Sequence, residues 1–141
     1  EELLEPTKVY TGELLSLYER VPGAVHSVSH VTGGGLSANV ARVLPAGTVA
    51  VMKRDTWDVP AVFNVLGDLG NVPRADRERT WNLGVGMVLV VDGARAAEVV
   101  AAYPGAWHLG EVISDTGEYR ENPDYVQGAK GVDGGAAILI D

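Results

Sequence analysis

Two stretches of the 141-residue sequence carry residue types whose spacing could do chemistry. The first is "HVTGGGLSANVARVLP", residues 30–45. His30, Thr32, three consecutive glycines, Asn39 and Arg42 fall within thirteen residues. Gly33, Gly34 and Gly35 follow a β-like run and precede a helix-like one. A glycine loop before a helix turns backbone N–H groups toward an anion and adds the positive end of the helix dipole, which suits phosphate. Thr32 can add a hydroxyl, and Arg42 can grip a phosphate with two parallel hydrogen bonds. Asn39 and Arg42 lie i and i+3, on one side of the helix. The same glycines can equally serve only to turn the chain, and both readings stand. The second stretch is "TWNLGVGM", residues 80–87, where Asn82, Gly84 and Gly86 open an apolar run. Glycine at a strand's start marks close backbone approach, which serves either helix-to-strand packing around Trp81 or a cleft shared with the first loop and lined by Thr80 and Asn82.

Other constellations fall away on physical grounds. His26 and His30 form H-x-x-x-H, a metal pair on a helix. Their segment alternates like a strand, where roughly 3.3 Å per residue puts them about 13 Å apart, too far for one ion. No metal site is expected. Asp55, Asp58, Asp68, Asp76, Glu78, Glu98 and Glu111 make no spaced acid and base pair. No serine sits in a nucleophile-elbow context. No catalytic residue is nominated.

These residues need elements to hold them. Leu14, Leu15, Tyr18 and Val21 recur at helical spacing before Pro22-Gly23, and "AVHSVSHVT" reads as a strand. "LSANVARVL" places Leu36, Val40, Val43 and Leu44 on one helical face, stopped by Pro45. "GTVAVMKR" is a strand. "VPAVFNVLGDLGN" is a helix with Pro60 in its first turn and Gly70 past its end. "RADRERTWN" is a short polar helix or turn. "GVGMVLVVD" is so continuously apolar that it predicts a central strand covered on both faces. An alanine-rich helix, "GARAAEVVAAYPG", and a strand, "AWHLGEVI", follow. Helices alternating with strands predict an α/β or α+β domain with helices on a sheet. After Ser114 the chain turns polar and glycine-rich, a flexible tail or an excursion, whose final "AAILID" could add an edge strand. The expected division is a domain over 1–113 and a tail over 114–141.

Length and balance fit one globular domain: 46 % hydrophobic, 21 % charged. A formal net charge of -8 argues against nucleic acid or an anionic membrane as partner. Cysteine is absent, which removes disulfides, thiolate catalysis and thiolate metal sites and permits a reducing cytoplasm. The longest apolar run is too short to span a bilayer. The abrupt, acidic start without methionine reads as a piece of a longer protein.

Taken in order, "LLEPTKVY", "HVTGGGLSANVARVLP", "TWNLGVGMVLVV" and "WHLGEVI" closely resemble the C-terminal domain of the phosphoribosylformylglycinamidine cyclo-ligase (AIR synthetase) family, over residues 1 to about 113. The resemblance implies a three-layer α/β/α domain with a mixed sheet and partly ferredoxin-like topology. It implies a cytoplasmic homodimeric enzyme of purine synthesis. That enzyme uses ATP, with Mg2+, to close formylglycinamidine ribonucleotide to aminoimidazole ribonucleotide. An N-terminal domain absent here would supply the dimer interface and most of the ATP site, so no cofactor is expected on this piece. His30, Thr32, Gly33, Gly34, Gly35, Asn39 and Arg42 would form one wall of the cleft between domains, with Asn82, Gly84 and Gly86 behind them. Related ATP-using enzymes share the architecture: the glutamine-dependent synthetase one step earlier, thiamine-monophosphate kinase, selenophosphate synthetase and a hydrogenase maturation protein. They tend to carry aspartate near His30, so His30 with "RVLP" favours the cyclo-ligase. Trp81 and Leu83 stand where the family favours phenylalanine and methionine, both apolar exchanges. The competing expectations are a binding module that senses a phosphorylated metabolite without chemistry, and a scaffold whose glycines are purely structural.

Overall fold

The computed structural model describes residues 2–129 and 134–141. Among the described residues, five α-helices and six strands follow one another as α1 (Thr11–Arg20), β1 (Val25–His30), α2 (Gly35–Ala41), β2 (Thr48–Lys53), α3 (Ala61–Leu69), α4 (Arg74–Thr80), β3 (Met87–Val91), α5 (Ala96–Ala102), β4 (Gly110–Ser114), β5 (Val126–Gln127) and β6 (Ala136–Ile140). The strands form two sheets. One is the antiparallel pair β1–β3; the other is four-stranded in the order β4-β2-β6-β5. The second sheet is mixed: β2 and β6 run parallel, whereas β2–β4 and β5–β6 are antiparallel. The β1–β3 pairing sets His30 opposite Met87 and Val28 opposite Leu89, which carries the two glycine stretches side by side.

The cores follow from which faces these elements bury. Leu36, Val40, Ala41 and Leu44 of and after α2 pack with Ala50, Met52, Ala137 and Leu139 of the mixed sheet. Leu17, Val21 and Ala24 pack with Val99 of α5 under β1 and β3. Val49, Ala136 and Ile138 fill the opposite face of the mixed sheet. Alternation along β2 and β6 thus serves two cores at once, as the two-residue period of a strand requires.

Four expectations are corrected by the packing. In α1 the buried side is Leu17 and then Val21, while Leu15 and Tyr18 are exposed. Helix α2 stops at Ala41, so Val43 and Leu44 lie in the following turn. The run "MVLVV" is not central: β3 has only β1 beside it, and every one of its residues is half-buried. Conversely, "AAILI" is no edge strand. It lies between β2 and β5 with Ala136–Leu139 buried, because a strand with no charge and small or branched apolar residues on both faces belongs inside a sheet. The chain after Ser114 therefore returns into the core of the same domain. Residues 130–133 of the expected tail lie outside the described residues.

Ile138→Ala is a direct check on that placement. Ile138 is 0 % exposed, so the truncation is expected to cost roughly 2–5 kcal/mol in a denaturant melt. A loss under about 1 kcal/mol, the figure for an exposed edge position, would put the strand back at the periphery.

Candidate functional site

The glycine loop is built from its own chain. The three glycines are not equally constrained. Gly35 sits at φ +74°, and a Cβ on it would stand 1.8 Å from the carbonyl oxygen of Glu78 in α4. Only glycine lets α2 start so close to that backbone. Gly34 has φ +101° with van der Waals room around it, so its demand is conformational. Gly33 has neither constraint, and a Cβ there would meet nothing within 4 Å. The backbone turn alone accounts for the second and third glycines and leaves the first unexplained.

Asn39 holds this turn shut. Its side chain is buried, and its Nδ2 donates to the carbonyls of Gly35 at 2.7 Å, Thr32 at 3.2 Å and Gly33 at 3.4 Å. Its Oδ1 accepts from the Thr32 hydroxyl at 3.4 Å and from Arg42 Nη2. The Ser29 hydroxyl donates to the Asn39 carbonyl at 2.6 Å, which ties β1 to α2. Asn39 thus spends its amide on the loop, while Thr32, Gly33 and Gly34 remain exposed. The Gly35 N–H is likewise committed, to the Thr32 carbonyl at 3.2 Å. Arg42 is half-buried, and among the described residues no carboxylate pairs with it. Helix α2 has seven residues and its first turn is buried against α4. The dipole expected from the sequence therefore adds little at the loop, whose accessible groups are its exposed backbone and the half-buried Arg42.

The second stretch lies alongside. The Val31 N–H donates to the Gly86 carbonyl at 2.9 Å, so the loops meet where β1 and β3 begin and end. Asn82 Oδ1 accepts from the Gly84 N–H at 3.1 Å and shapes its own turn. A Cβ on Gly84 would strike the Pro60 ring at 2.6 Å, and one on Gly86 the Tyr10 hydroxyl at 2.0 Å. His30 is exposed and meets Tyr10 edge-on, with ring centres 6.4 Å apart. The pairing brings His30 and Val31 beside Met87 and Gly86. Asn82 instead lines a cavity with Leu36, Arg54 and Glu78 to which none of His30, Thr32, Gly33 and Gly34 contributes, apart from the shared cleft expected for it.

Sequence reasoning missed the ion-pair network beneath that cavity. Arg54 meets Glu78 through two parallel hydrogen bonds of 2.9 Å and Asp124 through one of 2.8 Å, and donates to the Leu139 carbonyl at 2.8 Å. Arg74 bonds Glu78 at 2.9 Å and Asp141 at 2.8 Å. Burial pushes the Glu78 carboxyl up, but the hydrogen bonds and charges of Arg54 and Arg74 outweigh it and hold Glu78 below its ordinary value. The same pairing with Glu78 raises Arg54 and keeps it charged. Only the i, i+4 spacing of Arg74 and Glu78 was visible in the sequence.

Comparison with known proteins decides the family. Residues 1–121 match the model of the family described as "AIR synthase related protein, C-terminal domain". The chain belongs to that family. It is 46 % identical over 130 residues to a putative phosphoribosylformylglycinamidine cyclo-ligase of Streptomyces fradiae, covering 89 % of this chain and 70 % of that protein. It is 43 % identical over 122 residues to the phosphoribosylformylglycinamidine cyclo-ligase of Anaeromyxobacter sp., and 38 % over 124 residues to that of Desulfotalea psychrophila. Those alignments take in 84 % and 88 % of this chain but only 35 % and 33 % of the relatives. The chain thus spans about a third of the length of the longer AIR synthase relatives. The mixed α/β architecture agrees with a C-terminal domain of this family. No helix among the described residues is long and apolar enough to cross a membrane.

Two measurements separate the roles within the site. Gly35→Ala is expected to lose more than about 2 kcal/mol of stability, since it adds a steric collision to left-handed strain, whereas Gly34→Ala loses about 1–2 kcal/mol from strain alone. Equal losses in urea melts would deny the close approach to α4. Glu78→Gln is expected to cost roughly 1–3 kcal/mol at pH 7, between the worth of an exposed pair and the loss from breaking a buried one, because Glu78 and Arg54 are half-buried and Arg74 exposed. Because the folded carboxyl titrates low, its pairs stabilise fully above about pH 4.3 and are lost as pH falls through the folded value. The variant's stability should therefore decline less than the parent's between pH 5 and pH 3 (roughly the carboxylate window). Parallel pH profiles would remove Glu78 from the account.

Proposed function

We propose that this chain is the C-terminal domain of an ATP-dependent cyclo-ligase that closes formylglycinamidine ribonucleotide to aminoimidazole ribonucleotide in cytoplasmic purine synthesis. In this reading it supplies one wall of a site completed by an N-terminal domain, which also carries the homodimer contact, and it is inactive by itself. The observation that carries the proposal is Gly33. It is exposed, free of positive-φ strain and free of neighbours, yet it is glycine in a loop whose other glycines are structurally required. A bare main chain at that point admits a ligand's phosphate, with the Thr32 hydroxyl and Arg42 beside it. Cyclo-ligase relatives of up to 46 % identity give that phosphate its chemistry, the ribonucleotide.

The residues divide by task. Thr32, Gly33, Gly34 and Arg42 would grip the phosphate and orient the ribonucleotide. Asn39 would hold the loop in the gripping shape before substrate arrives, so that little ordering is needed on binding. His30, exposed beside Tyr10, would border the substrate at the rim. The fit to magnesium is poor. Among the described residues no group of three or more His, Asp or Glu side chains could hold a metal ion, and Glu78, which packs on the loop, has its carboxylate committed to two arginines. The magnesium that accompanies ATP is not assigned to this chain.

In the full-length enzyme, Arg42→Ala is expected to raise the KM for the ribonucleotide about tenfold or more, the worth of one charge-assisted hydrogen bond, with the KM for ATP unchanged. Gly33→Ala should do the same without changing the melting temperature. Unchanged ribonucleotide affinity in both variants would defeat the proposal. A matched loss for ATP would move the loop to the nucleotide's phosphates.

A further inference from the structure

Arg74, Arg77 and Glu78 fall at i, i+3 and i+4 of α4 and share one side of it. That side forms one wall of the cavity that Asn82 lines, of about 340 Å3, the small end of the range for small-molecule sites. Arg54 after β2 and Asn64 of α3 line it too. Among the described residues, three guanidiniums and a single carboxylate surround the space, in a chain whose formal net charge is -8.

The acceptors around this cavity are spent and the donors are in surplus. The Glu78 carboxylate accepts from Arg54 twice and from Arg74 once. The Leu83 carbonyl accepts from the Trp57 indole N–H at 3.0 Å, and the Leu139 carbonyl from Arg54. The Asn64 amide oxygen is the one side-chain acceptor left wholly unspent among the described residues. Arg74 uses Nε on Glu78 and Nη2 on Asp141, and Arg77 uses Nε on the Val72 carbonyl and Nη2 on Asp68. Nη1 of each arginine has no acceptor among the described residues, and neither has the amide nitrogen of Asn64 or of Asn82. Asp68 and Asp141 lie outside the lining, so they hold the two guanidiniums in place without filling the space. Gly67 helps to seat Arg77, since a Cβ there would strike its guanidinium. Donors fixed in advance cost a ligand little ordering. The other walls are apolar, with Leu36, Trp57, Val59 and Leu139.

We propose that this cavity binds a small organic anion, with a carboxylate or phosphate head on the unspent donors of α3 and α4 and a flat apolar body against Trp57 and Leu36. A carboxylate or phosphate oxygen only accepts, which matches a wall of donors, and its bonds to guanidinium are charge-assisted. The Trp57 N–H is already committed to Leu83, so the indole offers the body its apolar ring. Arg54 stays structural, its donors spent on Glu78, Asp124, Asp141 and the Leu139 carbonyl. The site is separate from the glycine loop, since none of Thr32, Gly33, Gly34 and Arg42 lines it, and it does not rest on the reaction proposed above.

The test titrates this chain with phenyl phosphate and with benzoate, and with inorganic phosphate and benzyl alcohol as head and body alone. The side-chain N–H signals of Trp57, Asn64 and Asn82 are followed by NMR. Saturable shifts at these groups are expected with at least one of the two aromatic anions, and the tighter of them identifies the head. Inorganic phosphate and benzyl alcohol should each bind weaker by about tenfold or more. Arg74→Gln should weaken the tighter probe about tenfold, the worth of one charge-assisted hydrogen bond. Asn64→Asp adds a negative charge at an exposed position of α3, where the fold is not at risk, and should weaken it by a similar factor. No saturable shift with either aromatic anion, an affinity matched by inorganic phosphate or benzyl alcohol, or an affinity unchanged in both variants would overturn the proposal. Shifts confined to Gly33, Gly34 and Arg42 would put the anion on the glycine loop and overturn it too.

Discussion

Glu78 is the residue on which the rest of the structure leans, and it acts through both its parts. Its carbonyl oxygen lies where a Cβ of Gly35 would be, so α2 and the glycine loop take their position from the α4 backbone. Its carboxylate binds Arg54 at the end of β2 and Arg74 one helical turn away. Arg54 continues to the Leu139 carbonyl of β6 and to Asp124. One glutamate therefore links the candidate site to the strand that closes the mixed sheet. Charges this shielded from water attract strongly, and their shared hydrogen bonds offset the cost of removing them from solvent. The result is a loop whose shape is set from below, by packing and ion pairs.

That arrangement divides labour among residues that look alike in the sequence. Three glycines in a row suggest a single purpose, but Gly35 serves packing, Gly34 serves the turn, and Gly33 answers to neither demand. Asn39 and Arg42 share a helical side as if both reached for substrate. Asn39 instead closes on the loop's carbonyls and presents Arg42, whose Nη2 it accepts. A preorganised loop of this kind binds with less loss of conformational freedom than one that must fold around its ligand.

Much of this was legible in the sequence wherever a local pattern carries the information. The helix ended by Gly70 and the strands over "VHSVSH" and "TVAVMK" follow from period and from punctuating proline or glycine. The β1–β3 pairing sets the ends of the two glycine stretches side by side, but Asn82 lines a cavity apart from the loop, which its residue type did not foretell. Hidden were relations between distant residues. Nothing local says that "AAILI" enters beside β2, or that Arg54 finds partners 24, 70 and 85 residues away. The stripe of α1 was misjudged because Leu14, Leu15, Tyr18 and Val21 fit a helical period as well as Leu17 does, and only the position of α5 selects the buried side. "MVLVV" reads as interior from its composition, yet among the described residues it pairs with β1 alone, so local pattern and sheet position conflict there.

The central claim is that the loop holds its form without ligand. Native-state amide exchange across residues 32–39 of the ligand-free chain tests it most directly. The account predicts that the buried, bonded Gly35 and the amides of α2 after it exchange only on global unfolding, while exposed Gly33 and Gly34 exchange at nearly the rate of free chain. If Gly35 and α2 exchanged as fast as Gly33, and slowed only when the ribonucleotide was added, the loop would be shaped by its ligand and the account would be wrong.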